Sequence, residues 1–372
     1  MTDKKVYDRT KPYNDLPLLP PSNEVIDKEV LLTWGTASRA LAELNRNILR
    51  LPNPSMLVNT ISLQEAKSSS EIENIFTTED ELYKAISDSV NEAAANPNTK
   101  EVLRYREALW VGYDTIYKMG KIDLKSIVNI YQQIKNTNED IRSPQSQVVI
   151  KRGNSEFRAG EVIYTPPRGK GIVEEKMNNL IQYLNDDLGL DPLLKMVISH
   201  YQFEAIHPFS DGNGRTGRIL NLLYLVNKGL LSHPVLYLSK YIIKNKDDYY
   251  YRLGAVTQRG DWKSWMIYML QGVKETAGQT NRTIDDIVSQ MQATFDYAKA
   301  ELRWYNKEIN EVLFTQPYIK AATIGKVMDR TSRTTLTRYM LDLTNMKILS
   351  VKHDGKEVYY INNDLVRILG GE

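Results

Sequence analysis

The chain has 372 residues, 42% apolar and 25% charged, which is enough for two or three domains with a sizeable buried core. Its 48 Lys and Arg stand against 46 Asp and Glu, a net charge of +2, so bulk charge selects no partner and any anion site must be local. The absence of cysteine excludes disulfides, thiolate catalysis and cysteine-ligated metal centres, and fits a reducing, cytoplasmic setting. No window approaches the roughly 18 to 20 apolar residues of a membrane helix, and no apolar run of signal-peptide length follows Lys4 and Lys5, so no membrane partner is expected.

In chain order, the first 22 residues, with Pro12, Pro17, Pro20 and Pro21, read as an extended arm laid over a domain or left mobile. From Asn23 to about Ala95 the apolar spacing is helical, broken at Leu51–Ser55, where two prolines stop one helix before the next begins. Helical patterns resume over Glu101–Met119 and Leu124–Ile134. Two short β-rich runs, Ser146–Gly153 and Glu161–Pro167, then predict a hairpin. A helix over Glu174–Leu184 follows. Another opens at Asp191-Pro192, a capping residue followed by the proline favoured in a first turn, and its apolar residues on most sides make it the expected centre of a bundle. The last 60 or so residues give a short helix, a turn at Asp329–Thr331, a second helix capped by Ser332, and strands flanking Asp354-Gly355, a strong hairpin signal. That order suggests a winged helix-turn-helix module, so the fold class is mainly α: a helical bundle with one β-hairpin and a C-terminal winged helix.

The chemistry concentrates in HPFSDGNGRTGR, His207–Arg218. His207 precedes Pro208, which pushes it out of helical torsions and ends the buried helix there. Alone it would be an ordinary structural histidine; beside these neighbours its near-neutral imidazole suits a base that takes a proton from a hydroxyl. Gly212-Asn213-Gly214 can turn successive backbone N–H groups to one point, with a helix starting immediately after, which makes an anion site. Arg215 and Arg218, three apart in the first turn, add two permanent charges on one side and suit a polyphosphate. Asp211 is placed to hold a magnesium ion bridging phosphate oxygens. Two other phosphate motifs fail. Gly212, Gly214 and Gly217 satisfy GxGxxG, but a helix precedes them and no acid occurs between Ile219 and Asp247; the P-loop spacing of Gly212 and Gly217 carries Arg218-Ile219 where Lys-Ser/Thr is required. His200, Glu204 and His207 lack the spacing of a zinc motif. The residues thus propose nucleotidyl or phosphoryl transfer from a magnesium-bound nucleoside triphosphate.

This stretch resembles the HPFx[DE]GNGRxxR signature of Fic-domain proteins at every fixed position, and most of the chain follows that family. The resemblance implies a protein adenylyltransferase that moves AMP from ATP to a Ser, Thr or Tyr hydroxyl of target proteins or of itself. His207 would be the base, Asp211 the Mg2+ ligand, and Gly212, Asn213 and Gly214 the cradle of the transferred phosphate. Arg215 and Arg218 would anchor the outer phosphates, with Thr216 and Gly217 in the same ATP-binding stretch and Phe209 buried to tie the loop to the core. The hairpin at 146–167 would be a flap that holds the target by β-augmentation, Tyr249 and Tyr250 would line the adenine pocket, and Gln258 would contact the nucleoside. Ser69-x-x-x-Glu73-Asn74 resembles the family's inhibitory motif, in which Glu73 pairs with Arg218 and blocks productive ATP binding. The implied division is 1–100, an N-terminal helical region; 101–275, the Fic core; 276–312, a connecting helix; and 313–372, the winged helix. That last module carries nine basic residues against six acids, and Arg330, Arg333 and Arg338 suit phosphate contacts, so DNA stays open as a partner, as does a homodimer. The alternatives are removal of AMP from modified proteins, a DNA-binding regulator whose core senses nucleotide, and transfer of phosphocholine or phosphate.

Overall fold

The computed structural model describes residues 7–22, 25–49, 51, 54–87, 93–151, 160–186, 189–328 and 332–370. Helix α1 (Lys28–Ile48) begins where the Asp27 carboxylate accepts the N–H groups of Glu29 and Val30, each at 3.0 Å. Helix α2 (Pro54–Ile72) follows the proline break, of which Pro52 and Asn53 lie outside the described residues. Helices α3 (Glu79–Ser87), α4 (Pro97–Met119) and α5 (Leu124–Lys135) come next, the last opened by a reciprocal capping box between Asp123 and Ser126. Strands β1 (Ile150–Lys151) and β2 (Val162–Tyr164) pair antiparallel, with Ile150 opposite Tyr164. This ladder is shorter than the runs that predicted it, and 152–159, most of the expected hairpin tip, lie outside the described residues.

Helices α6 (Ile172–Asn185), α7 (Pro192–Ile206), α8 (Asn213–Asn227), α9 (Leu238–Lys244), α10 (Lys246–Arg259) and α11 (Trp262–Glu301) complete the bundle. Every residue of α7 from Leu193 to Ile206 is buried, as a helix apolar on most sides requires, and α6, α8 and α11 pack around it. At 40 residues α11 is about 60 Å long. It runs unbroken through the boundary expected at 275–276, and α1 lies along it. The arm is extended and pinned over residues 7–22: Asn179 exchanges two hydrogen bonds with the backbone of Leu19, Lys176 donates to Leu16 O, and Tyr13 N–H donates to Thr165 O.

Beyond α11 come α12 (Lys307–Leu313), β3 (Tyr318–Ile319), α13 (Ala321–Gly325), α14 (Arg333–Asn345), β4 (Ser350–Asp354), β5 (Glu357–Ile361) and α15 (Asn363–Gly370). The sheet order is β3-β5-β4, all antiparallel, with Gly355 at φ 58° in the β4–β5 turn. Ser332 caps α14 through Thr335 N–H, and Arg333 and Arg338 are exposed on it; residues 329–331, including Arg330, lie outside the described residues. This unit docks on α3, where Asp80 accepts from Tyr318 Oη at 2.7 Å and pairs with Lys352 and Lys84 at 2.5 and 2.9 Å. Leu44 lies fully buried in the stripe of α1, so Leu44→Ala should lower stability by about 2–5 kcal/mol, read as a shift of the denaturation midpoint with unchanged slope.

Candidate active site

Helix α7 ends at His207 as Pro208 requires, but in the left-handed region, φ 51° and ψ 61°, with its N–H still bonded to Phe203 O. A non-glycine residue there needs support from its surroundings. Arg142 supplies it: Nε donates to His207 O at 2.8 Å, a terminal nitrogen donates to Ile206 O and Pro167 O, and its own N–H donates to Pro208 O at 2.8 Å. Phe209 is fully buried and stacks on Tyr131 with ring centroids 4.0 Å apart and planes 6° from parallel. Asn213 clamps Phe209 from both sides, its Oδ1 accepting Phe209 N–H at 2.8 Å and its Nδ2 donating to Phe209 O at 2.9 Å. The asparagine of the glycine turn therefore staples the loop.

The imidazole of His207 is oriented by a 3.3 Å contact between Nδ1 and Glu204 O. With that nitrogen donating, Nε2 keeps a free lone pair. Burial pushes the imidazole down to about 4, so it is neutral and able to accept a proton at pH 7. His200, one helical turn and more away on the same helix, is also neutral, lowered to about 3 by burial, and its Nε2 meets Tyr249 Oη at 2.9 Å. Among the described residues no group of three ligating side chains converges to hold a metal.

Helix α8 starts at Asn213, so Asn213 and Gly214 already belong to its first turn. Only Gly212 has a positive φ, 75°, and the helix has no side-chain cap. Gly214 is needed for space instead: a Cβ there would come within 2.3 Å of Glu73 Oε1 and 2.8 Å of an Arg218 terminal nitrogen. Gly217 is needed for packing, since a Cβ would lie 2.9 Å from Phe203 and 3.0 Å from Glu204 Oε1. Thr216 turns its hydroxyl back to Gly212 O.

The two arginines part company. Arg215 is buried under the turn and donates to Glu101 of α4, which also lies 3.6 Å from Lys135. Asp211 accepts Gly212 N–H with Oδ1, and its Oδ2 is 2.6 Å from Lys135 Nζ. Although burial works against its charge, Lys135 holds this carboxyl below the usual range. Arg218, 2% exposed, gives Nε to Ser69 Oγ at 2.7 Å and one terminal nitrogen to Ser69 O and Glu73 Oε1 at 2.9 and 2.8 Å. On α2, Ser69 lies one turn after buried Glu65, which accepts the Ser239 N–H at 2.9 Å and the Tyr105 hydroxyl at 3.3 Å, and Glu73 follows in the turn just past the helix end. Asn74 ends the helix at φ 62°, a torsion that Asn tolerates.

Of the residues expected at a nucleoside pocket, Tyr249 is 1% exposed and packs on Trp265 and His200, which makes it core. Tyr250 is 37% exposed, and its hydroxyl, pushed up first by burial, feels the charges of Glu73 and Arg218. Gln258 is exposed in the last turn of α10. Sequence reasoning missed Arg142, Lys135, Glu101 and Glu65. Nothing local marks them, since each acts on residues tens of positions away.

Three family models match the chain: Fic/DOC family N-terminal over residues 31–114, Fic/DOC family over 121–225, and the C-terminal domain of SoFic-like protein adenylyltransferase over 290–365. The chain is 29% identical over 129 residues to protein adenylyltransferase fic-1 of Caenorhabditis elegans, 33% of this chain and 24% of that protein. It is 30% identical over 193 residues to protein adenylyltransferase Fic of Nematostella vectensis, 50% of this chain and 39% of that one. The match thus spans about a quarter to two fifths of these curated relatives. A crystal structure of a Fic family protein from Desulfovibrio desulfuricans G20 superposes with a TM-score of 0.56 at 18% identity, covering 92% of this chain and 98% of that chain, so the two share a fold.

Two outcomes check this geometry. In an NMR titration the His207 and His200 resonances should stay in the neutral form from pH 8 to 5, with His207 protonating only near 4; a midpoint at the ordinary value of about 6.5 would contradict it. Asn213→Ala should cost about 1–3 kcal/mol of stability by denaturant unfolding, because it leaves two buried backbone groups of Phe209 unpaired.

Proposed function

We propose that this chain, which belongs to the Fic/DOC family, is a self-restrained protein adenylyltransferase that moves AMP from ATP to a hydroxyl of a protein target or of itself. One observation carries the reading: a neutral imidazole stands beside an uncapped helix start whose second arginine is held by the Glu73 carboxylate, from the turn after α2. The names of the relatives and of the C-terminal family model support the same assignment.

The residues divide the work as follows. His207 Nε2 takes the proton of the target hydroxyl while its oxygen forms a bond to the α-phosphorus, the α–β anhydride bond breaks, and pyrophosphate leaves. The N–H groups at the start of α8 receive the phosphate oxygens on which negative charge accumulates. Asp211 is the carboxylate of the turn itself, and with no larger ligand group among the described residues the fit is that of a magnesium ion delivered with the nucleotide, which would need only one or two carboxylates. Bound there, the ion would neutralise triphosphate charge. The β1–β2 hairpin reaches this region through Tyr164, whose hydroxyl donates to Ala205 O at 2.7 Å, two residues before the base. It is suited to hold a target segment as an added strand.

Restraint follows from the Arg218 pair. A charge-assisted hydrogen bond of a buried guanidinium is worth roughly 1.5–3 kcal/mol, and an incoming phosphate has to replace it. Glu73 also fills the space above Gly214, so nucleotide and carboxylate compete for one volume as well as one cation. With labelled ATP and cell extract, Glu73→Gly should raise transfer of the AMP moiety to protein strongly over wild type, while His207→Ala should lower it by about 100- to 10,000-fold. Equal labelling by wild type and the Glu73 variant, or a label that is not AMP, would overturn the assignment.

A further inference from the structure

Lys135 is the last residue of α5, and the loop signature gives it no part. Its position is nevertheless fixed by the loop's own anchors. One turn earlier on the same helix Tyr131 stacks on Phe209, and the Tyr131 hydroxyl meets Glu139 at 3.0 Å and Ser210 at 3.3 Å. The aliphatic stem lies over the turn, so that a Cβ at Gly212 would come within 3.2 Å of Lys135 Cδ. The ammonium then has two carboxylates within reach, Asp211 Oδ2 at 2.6 Å and Glu101 Oε1 at 3.6 Å.

Asp211 has two oxygens and both have partners, Oδ1 the Gly212 N–H and Oδ2 the ammonium. A magnesium ion needs a carboxylate oxygen at about 2.0–2.1 Å. Each oxygen of this carboxylate keeps a lone pair for an ion, but an ion on Oδ2 would sit beside the Lys135 ammonium, and two cations on a single oxygen repel. We propose that Lys135 is a resident cation of the phosphate site: it neutralises Asp211 when no divalent ion is bound, competes with the ion for Oδ2, and withdraws toward Glu101 when the ion enters. Lys135 is thus a positioning residue that sets how strongly nucleotide binding depends on metal. This rests on the reading of the loop as a triphosphate site.

The consequence is a coupling between metal and nucleotide that the lysine damps. With Lys135 present, the charge opposing the phosphates is already cancelled and a metal adds little. Without it, a bare carboxylate repels the nucleotide until a metal arrives, and the metal's access is clear. The test is calorimetric titration of the α,β-methylene analogue of ATP into the full chain carrying Glu73→Gly, which frees Arg218, in Mg2+ and in EDTA. In that background, adding Lys135→Met should raise the ratio of the two dissociation constants about tenfold. Lys135→Arg should keep the ratio small, and Asp211→Asn should bring it close to one. Melting temperatures serve as the folding check, and Lys135→Gln stands in for Lys135→Met if that variant unfolds. An unchanged ratio on losing the ammonium overturns the role given to Lys135, while no binding of the analogue with or without metal overturns the nucleotide site itself.

Discussion

An arginine side chain buried to 2% exposure cannot go without acceptors, and the side-chain hydrogen bonds of Arg218 run to Ser69 of α2 and to Glu73 in the turn just after it. That requirement organises the site. It draws Ser69 and Glu73 onto the first turns of α8, and makes a glycine obligatory at 214 because the Glu73 carboxylate occupies the room a side chain would take. Glu65, two turns before Glu73 on the same face, fixes the helix from behind through Ser239 and Tyr105. Helix α2 is therefore anchored near its middle, and the turn that follows it, with left-handed Asn74, carries Glu73 at a chain reversal. The unit that follows α11 docks on α3, only a few residues beyond that turn.

The conformation at His207 is enforced by its neighbours. The residue is held in a left-handed torsion by Arg142, which reaches three carbonyls with its side chain and a fourth with its backbone N–H. Phe209 is locked between Tyr131 and the Asn213 amide. These anchors come from α5, from the stretch before β1 and from α8, so the loop is braced on three sides. Burial keeps the imidazole neutral, the form a base requires.

The charges around the turn form two separate systems. Arg218 belongs with Glu73 and α2; Arg215 belongs with Glu101, Lys135 and Asp211 on the side of α4 and α5. Three apart in sequence, the two arginines lie on neighbouring positions of one helix, yet different partner helices claim them. Glu204, beside Gly217 and within the field of Arg218, is raised to about 7 by burial, so near neutral pH it is ionised only about half the time.

Much of the framework could be read from the chain. The proline at 208 stops a helix that is apolar on most sides, Asp191 and Ser332 cap where short polar side chains before helical runs predict, and Asp354-Gly355 turns a hairpin, because each depends on torsions and hydrogen bonds within a few residues. The motif around Glu73 and the loop from His207 to Arg218 were legible for the same reason: their chemistry is packed into short stretches. What the chain could not disclose is which side chain meets which over long separations. The pairing of Lys135 with Asp211 across 76 positions, of Arg215 with Glu101 across 114, and of Arg142 with the carbonyl of His207 across 65 exists only because packed helices bring those positions together. The identities of the groups are local, but electrostatic pairing depends on distance through space, and distance is set by the packing of the bundle.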